Sequence, residues 1–264
     1  MPYRQSDEIR YYTFESLDED QIVHAVFTRR GGVSPAPWAA LNVGALVGDD
    51  LNRVIENRRR AFQAVGRDPS SMYDVWQVHG IEVVCTDAPR PLDQLHLKAD
   101  AILTNNPAVT LFMRFADCVP ILLYDPAHRV VGLVHAGWKG TVDQIARAAV
   151  KTMQVCYQTR LADVRAAIGP SVCARHYEVG ADVIEQVLQK LPQQAEQVLE
   201  YRRGSQNRKA YFDLWLANRL ILEDAGVEKI EVAGICTACH TEEWYSHRGE
   251  NGRTGRFGVL IGLR

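Results

Sequence analysis

The sequence predicts an α+β fold, and three observations carry that reading. β-like runs crowd the middle of the chain, four or five of them following one another between residues 73 and 137 with no helical pattern between. Helical periodicity is confined to four stretches that do not alternate regularly with the strands. That order argues against a doubly wound parallel sheet and for mixed architecture with much antiparallel pairing. No internal repeat, low-complexity tract or long Gly/Ser or Pro linker divides the 264 residues, so one domain spanning 1–264 is expected.

In chain order, strands are expected at HAVFTRR (24–30), YDVWQVH (73–79), IEVVCTD (81–87), DAILTN (100–105), VTLFMRF (109–115), VPILLYD (119–125), RVVGLVHAG (129–137), VRAAIGP (164–170), IEVAGIC (230–236) and FGVLIGL (257–263). They are short, β-branched or aromatic-rich, and bounded by turn residues. Helices are expected over about 50–66, 141–157, 180–191 and 213–225. The last two carry apolar residues at three- and four-residue steps, such as Val183 with Val187 and Leu216 with Leu220. The polar stretch 189–209 reads as a surface excursion.

Composition narrows the function classes. Lys+Arg number 30 against 32 Asp+Glu, which excludes a strongly basic nucleic-acid groove or polybasic membrane anchor and points to a small partner. The start, MPYRQSDEIRYY, has no apolar core of signal-peptide length, and nothing later approaches the roughly 20 apolar residues of a membrane span. A cytoplasmic protein is expected, either a monomer or a small homo-oligomer. In a reducing compartment its six cysteines (Cys85, Cys118, Cys156, Cys173, Cys236, Cys239) read as core thiols or metal ligands rather than disulfides.

Chemistry concentrates at element junctions. In LVHAGWKGTVDQ (133–144) the apolar row Val131 and Leu133 ends on His135, glycines 137 and 140 permit close backbone approach, and Thr141 with Gln144 has capping-box spacing. A hydrogen-bonded core histidine and an ordinary turn would read the same way. WQVHG (76–80) puts His79 at another strand end, and RFADCVPILLYD (114–125) sets Asp117 and Cys118 just ahead of a buried run. Two imidazoles and a thiolate supply three tetrahedral ligands and leave a fourth position for solvent or substrate, the donor count of a catalytic zinc site. The intervals are too long for a finger or ribbon. Alternatively, Cys118 and His135 form a nucleophilic pair, with Asp117 or another acid orienting the ring.

CTACH (236–240) matches the covalent haem pattern, but the chain shows no export signal. No second C-x-x-C is present to complete a structural zinc site, so Cys236 and Cys239 are expected to be buried thiols at a strand end. TRRGGVS (28–34) and SHRGENGRTGR (246–256) set arginines among glycines, a mixture suited to phosphate or ribosyl hydroxyls and equally to solvated turns.

Taken in order from about residue 24 to the C-terminus, TRRGGVS, LNVG, WQVHG, ADCVPILLYD, VHAGWKGT, IGPSVCARHYEVG, DLWLANRL, CTACH and YSHRGENGRTGR resemble the bacterial YfiH-type laccase-domain, or polyphenol-oxidase, family. The resemblance implies two mixed β-sheets sandwiched between helices (α/β/β/α), a fold related to a putative cysteine-hydrolase group. It implies a metal site of His79, Cys118 and His135. The implied activity is phosphorolysis of adenosine, guanosine, inosine and methylthioadenosine, with adenosine deamination at the same site. Copper-dependent phenol oxidation and peptidoglycan editing are also associated with the family. Where many members read S-Y-R, this chain reads Ser246-His247-Arg248.

Zinc suits deamination, since a bound water's pKa falls towards about 7; the H-x-E with P-C-x-x-C deaminase signature is absent. Asp117 and Lys139 are candidates for proton handling or substrate contact. For phosphorolysis, Arg29, Arg248 and the helix start at Thr141 are candidates for phosphate, and Asn42 and Gln77 for base or ribose. Multicopper oxidation would need several metal centres, and the eight histidines contain no H-x-H; an N₂S site could still take copper.

Overall fold

The computed structural model describes residues 2–18, 20–91, 93–201 and 209–264. It resolves the strands into two six-stranded sheets and a small three-stranded one. From edge to edge the first sheet runs Tyr3–Ser6, Ile9–Tyr12, Ile22–Phe27, Phe257–Leu263, Thr110–Phe115 and Met72–Tyr73, antiparallel except at its last pair. The second runs Lys229–Val232, Arg165–Ile168, Val119–Asp125, Val130–Ala136, Ala101–Thr104 and Val83–Cys85, antiparallel in the middle and parallel at both edges. Both sheets are mixed, as expected.

The strands read as unbroken apolar runs because both faces are covered. Along Val119–Asp125, Val119, Ile121 and Leu123 pack towards helices Trp138–Val142, Ile145–Tyr157, Ala181–Lys190 and Leu214–Ala225, whereas Leu122 and Tyr124 face the other sheet. Across that inter-sheet layer they meet Leu111, Met113, Phe115, Val259 and Ile261. The outer face of the first sheet, with Phe27, Phe112 and Leu260, is covered by Ala61 and Phe62 of helix Leu51–Ala64. The layering is therefore helix, sheet, sheet, helix.

Two expected helices begin at side-chain caps: Asp50 accepts from the Arg53 amide and Asp213 from the Leu216 amide, each satisfying a free first-turn donor. The expected capping box at Thr141 does not form. The Gly137 turn is tight enough for the helix to start at once at Trp138, so Thr141 lies inside its single turn, buried, and its hydroxyl accepts from Asn218 Nδ2 at 2.9 Å. A second helix, Ile145–Tyr157, starts after Gln144 in the left-handed region.

Within YDVWQVH only Tyr73 joins a strand, and His79 sits in a turn at φ 60° rather than at a strand end. The reason is Asp100, whose carboxylate gathers the amides of residues 78 to 80 out of strand pairing. Strands Tyr3–Ser6 and Ile9–Tyr12 lie outside the expected set; the first is polar and largely exposed, so alternation gives no signal there. The stretch 189–209 is only partly a surface excursion: Leu191, Ala195, Val198 and Leu199 are buried, and residues 202–208 lie outside the described set. Among the described residues no helix is long and apolar enough to cross a membrane.

Candidate functional site

The hairpin of Val119–Asp125 and Val130–Ala136 pairs Val119 with Ala136 and Pro120 with His135, which carries Cys118 and Gly137 to the same end of the second sheet. Period-two alternation turns His135 with Val131 and Leu133 towards the inter-sheet layer, where its ring meets Phe115 at 5.4 Å between centroids. His79 arrives from a different segment. Its Nε2 lies 3.8 Å from Cys118 Sγ, its ring packs edge-on to His135 at 4.9 Å, and the ligand atoms of all three residues lie within 4.8 Å of one another. His79 is exposed, Cys118 partly exposed and His135 buried, so the cluster opens on the His79 side.

Asp100, which sequence reading missed, builds this site. Its Oδ1 accepts from His135 Nδ1 at 2.8 Å and from the His79 amide at 3.0 Å; its Oδ2 accepts from the Gly80 amide at 2.7 Å and the Val78 amide at 3.2 Å. Holding Nδ1 as the donor leaves His135 Nε2 as the lone-pair nitrogen, the arrangement by which carboxylates orient metal-binding imidazoles. Asp100 stands in sequence at the mouth of strand Ala101–Thr104, and nothing in its local pattern marks it out from a turn aspartate.

The close approach promised by the glycines is real. A methyl group on Gly137 would fall 2.8 Å from His79 Cδ2 and 3.1 Å from Cys118 Sγ, and one on Gly140 would fall 3.3 Å from the Gly80 carbonyl oxygen. Burial raises the Cys118 thiol, but the His135 and His79 imidazoles outweigh it and bring it down to about 6. Burial likewise opposes charge on His135, yet the Cys118 sulfur and the Asp100 carboxylate hold it up at about 9. Both shifts favour a thiolate at Cys118 and a proton on His135, and a metal ion bound there would release that proton.

With two nitrogens and one sulfur, this donor set fits a borderline-soft divalent ion such as zinc and also accepts copper. Residues 23–264 match the family model described as multi-copper polyphenol oxidoreductase laccase. The chain belongs to the YfiH-type laccase-domain family. It is 41% identical over 242 residues to a protein of Deinococcus radiodurans named purine nucleoside phosphorylase, covering 92% of this chain and 89% of that one. It is 37% identical to the purine nucleoside phosphorylase YlmD of Bacillus subtilis, with the same coverage. Crystal structures of Bacillus licheniformis YfiH and Geobacillus stearothermophilus YlmD superpose with TM-scores of 0.91 and 0.89, each at 32% identity and covering 100% of this chain and 99% of the other.

Within this laccase-domain fold the remaining candidates divide into framework and rim. Asp117, at φ 81°, accepts from Thr237 Oγ1 at 2.6 Å, Ser246 Oγ at 2.7 Å and the Arg248 amide at 2.5 Å, so its oxygens anchor the 237–248 loop beside Cys118. The Ser246-His247-Arg248 stretch thus engages Asp117 through a serine hydroxyl and a backbone amide, while the His247 side chain is exposed. Arg29 donates to the carbonyls of Ala39 and Thr241 and to Glu250. Asn42 bonds Gly44, Asp49 and the Arg256 amide, and Gln77 bonds Arg114 through both ends of its amide. Arg29, Asn42, Gln77 and the buried Thr141 therefore spend their polar atoms on the frame. Lys139 and Arg248 are exposed; the Arg248 guanidinium lies 5.2 Å from the centre of the Tyr177 ring. Burial pushes the Tyr177 phenol up, and the nearby Cys118 charge pushes it further, so Tyr177 belongs to the same neighbourhood.

Proposed function

We propose that the protein is a zinc-dependent purine nucleoside phosphorylase acting on adenosine, guanosine, inosine and methylthioadenosine, with adenosine deaminase activity at the same site. The observation that carries the reading is the convergence of His79 Nε2, Cys118 Sγ and His135 on one point that opens towards solvent. Three protein donors suit a catalytic ion rather than a structural one. The names of the Deinococcus and Bacillus relatives support the substrate class. A divalent ion held by these residues would supply Lewis acidity, lowering the pKa of a bound water or polarising a substrate oxygen.

The chain's own residues account for the rest. In phosphorolysis a phosphate oxygen bonds ribose C1′ while the glycosidic C–N bond breaks, its electron pair leaving with the purine, which takes up a proton. Lys139 and Arg248, two exposed cations, are the proposed phosphate contacts, Arg248 beside its bond to the Glu178 carbonyl, and Tyr177 beneath Arg248 offers a ring for the base to stack against. In deamination, water adds at purine C6 and ammonia departs; His79, Cys118 and His135 would hold the ion whose Lewis acidity activates that water. A cytoplasmic location accords with six unpaired cysteines. Adenosine turnover measured with and without phosphate tests the reading: ribose 1-phosphate reports phosphorolysis, ammonia reports deamination, and neither product from zinc-loaded protein would refute it.

A second reading has its own support. Cys118, His135 and Asp100 also have the relations of a thiol nucleophile, its base and the base's orienting acid, with Cys118 shifted to about 6. Turnover of an ester or amide substrate by metal-free protein, abolished by alkylating Cys118, would favour that hydrolase.

A further inference from the structure

A second cluster lies outside the site described. Cys173 and His176 occupy the turn that follows strand Arg165–Ile168, and Cys236 and Cys239 the turn that follows Lys229–Val232. These strands are parallel neighbours, with Arg165 beside Lys229 and Ile168 beside Val232, and a further parallel bridge joins Ser171 to Cys236. Parallel register therefore delivers a C-x-x-H turn and a C-x-x-C turn to the same end of the sheet. The partner of the C-x-x-C turn is therefore a C-x-x-H turn, not a second C-x-x-C.

The geometry is that of a coordination shell. His176 Nδ1 lies 3.5 Å from Cys173 Sγ, 3.7 Å from Cys236 Sγ and 3.5 Å from Cys239 Sγ, and all four ligand atoms fall within 4.8 Å of one another. Zinc–sulfur bonds of about 2.3 Å and zinc–nitrogen bonds of about 2.0–2.1 Å at the tetrahedral angle set bound sulfur and nitrogen about 3.6 Å apart. One nitrogen equidistant from three sulfurs does not describe a disulfide, which would draw two sulfurs together to about 2.05 Å and leave the other two groups without a role. The Cys173 amide donates to Cys236 Sγ at 3.3 Å.

We propose that Cys173, His176, Cys236 and Cys239 form a closed, structural zinc site. Four protein donors leave no position for substrate, in contrast to the three at Cys118. The ion ties together two segments that wall the active site: Tyr177 follows His176 directly, and Thr237, inside the C-x-x-C turn, holds Asp117 next to Cys118. Its role is to fix that wall, so Tyr177 and the 237–248 loop are positioned by a metal that takes no part in turnover.

Metal counting tests the proposal. Chain purified in reductant without chelator or affinity tag is dialysed against zinc, then against buffer, and analysed for metal by mass spectrometry. Wild type is expected to hold two zinc ions per chain, a His79→Ala/Cys118→Ala variant one, and Cys239→Ser, altered at an exposed ligand, one. Cobalt loaded into the His79→Ala/Cys118→Ala variant is expected to show sulfur-to-cobalt charge transfer and the intense visible bands of a tetrahedral thiolate site. A folded His79→Ala/Cys118→Ala chain that retains no zinc, a Cys239→Ser chain that retains as much as wild type, or a stoichiometric metal other than zinc would overturn it. None of these readouts depends on the activity proposed above.

Discussion

Asp100→Asn changes one oxygen for an NH₂ at the point where four donors converge, and either placement of the amide is costly. With the NH₂ at the Oδ2 position it opposes the Val78 and Gly80 amides, which now donate at 3.2 and 2.7 Å, and the turn carrying His79 loses its anchor. With the NH₂ at Oδ1 it opposes the His79 amide and obliges His135 Nδ1 to accept, putting the ring proton on Nε2, the nitrogen the proposed metal would use. Hydrogen bonds to a charged group are each worth about 1.5–3 kcal/mol, so two lost bonds imply about 3 kcal/mol or more. Part of that falls on folding and part on ligand orientation. Loss of a carboxylate partner behind a metal-binding histidine typically weakens metal affinity by about 10–100-fold. The assay is competition dialysis against a graded chelator: the count at the open site should fall at about 10–100-fold lower chelator than in wild type, with the far-ultraviolet dichroism unchanged. A folded Asp100→Asn chain that keeps wild-type zinc affinity would refute the role given to Asp100.

Three further outcomes are expected. Gly137→Ala puts a methyl 2.8 Å from His79 Cδ2 and 3.1 Å from Cys118 Sγ, so kcat/KM for phosphorolysis should drop at least about tenfold, roughly 1.4 kcal/mol, with a near-normal melting midpoint; full activity would contradict the crowding. Asp74 is buried between Arg90 Nε at 2.8 Å, His96 Nε2 at 3.1 Å and Arg114 Nη1 at 3.2 Å, so Asp74→Ala strands two arginines and should cost about 3–5 kcal/mol in urea unfolding; a loss under about 1 kcal/mol would show that the network is not structural. Burial pulls the His24 imidazole down to about 4 while its Nε2 accepts from the Phe14 amide at 2.8 Å. Below about 6.5 the unfolded chain therefore binds a proton that the folded chain refuses, so stability falls as pH drops towards 4 and the loss then levels off. At pH 5 the loss is about 2 kcal/mol, and His24→Gln should remove that share of the difference between pH 7 and pH 5; an unchanged difference would refute it.

How much of the site was legible depended on whether its residues carry local signals. His135 ends an apolar row and stands beside glycines, and Cys118 opens a buried run, so both show in the pattern. Asp100 does not, because what matters about it is four donors contributed by residues 78 to 80 and 135. Arg29, Asn42 and Gln77 have the right chemistry for ligand contact, yet their partners, such as Glu250 and the Arg256 and Arg114 backbone, are far along the chain and claim them for the framework.

The amino-acid order alone determined the type of most central strands and of the four long helices, since apolar runs of strand length and three- and four-residue periodicity are properties of neighbouring residues; it missed the polar strand Tyr3–Ser6 and misread most of YDVWQVH. It also determined the inventory of soft ligands. Tertiary structure decided which ligands meet. The sulfur at 118 becomes one donor of an open three-donor site because a hairpin returns His135 to its side and Asp100 folds the His79 turn over it. Two short Cys-containing turns become one four-donor cluster because parallel strands Arg165–Ile168 and Lys229–Val232 end side by side. Contact between segments is set by register and sheet order, which depend on burying both faces of each sheet at once, and no local window of sequence contains that constraint.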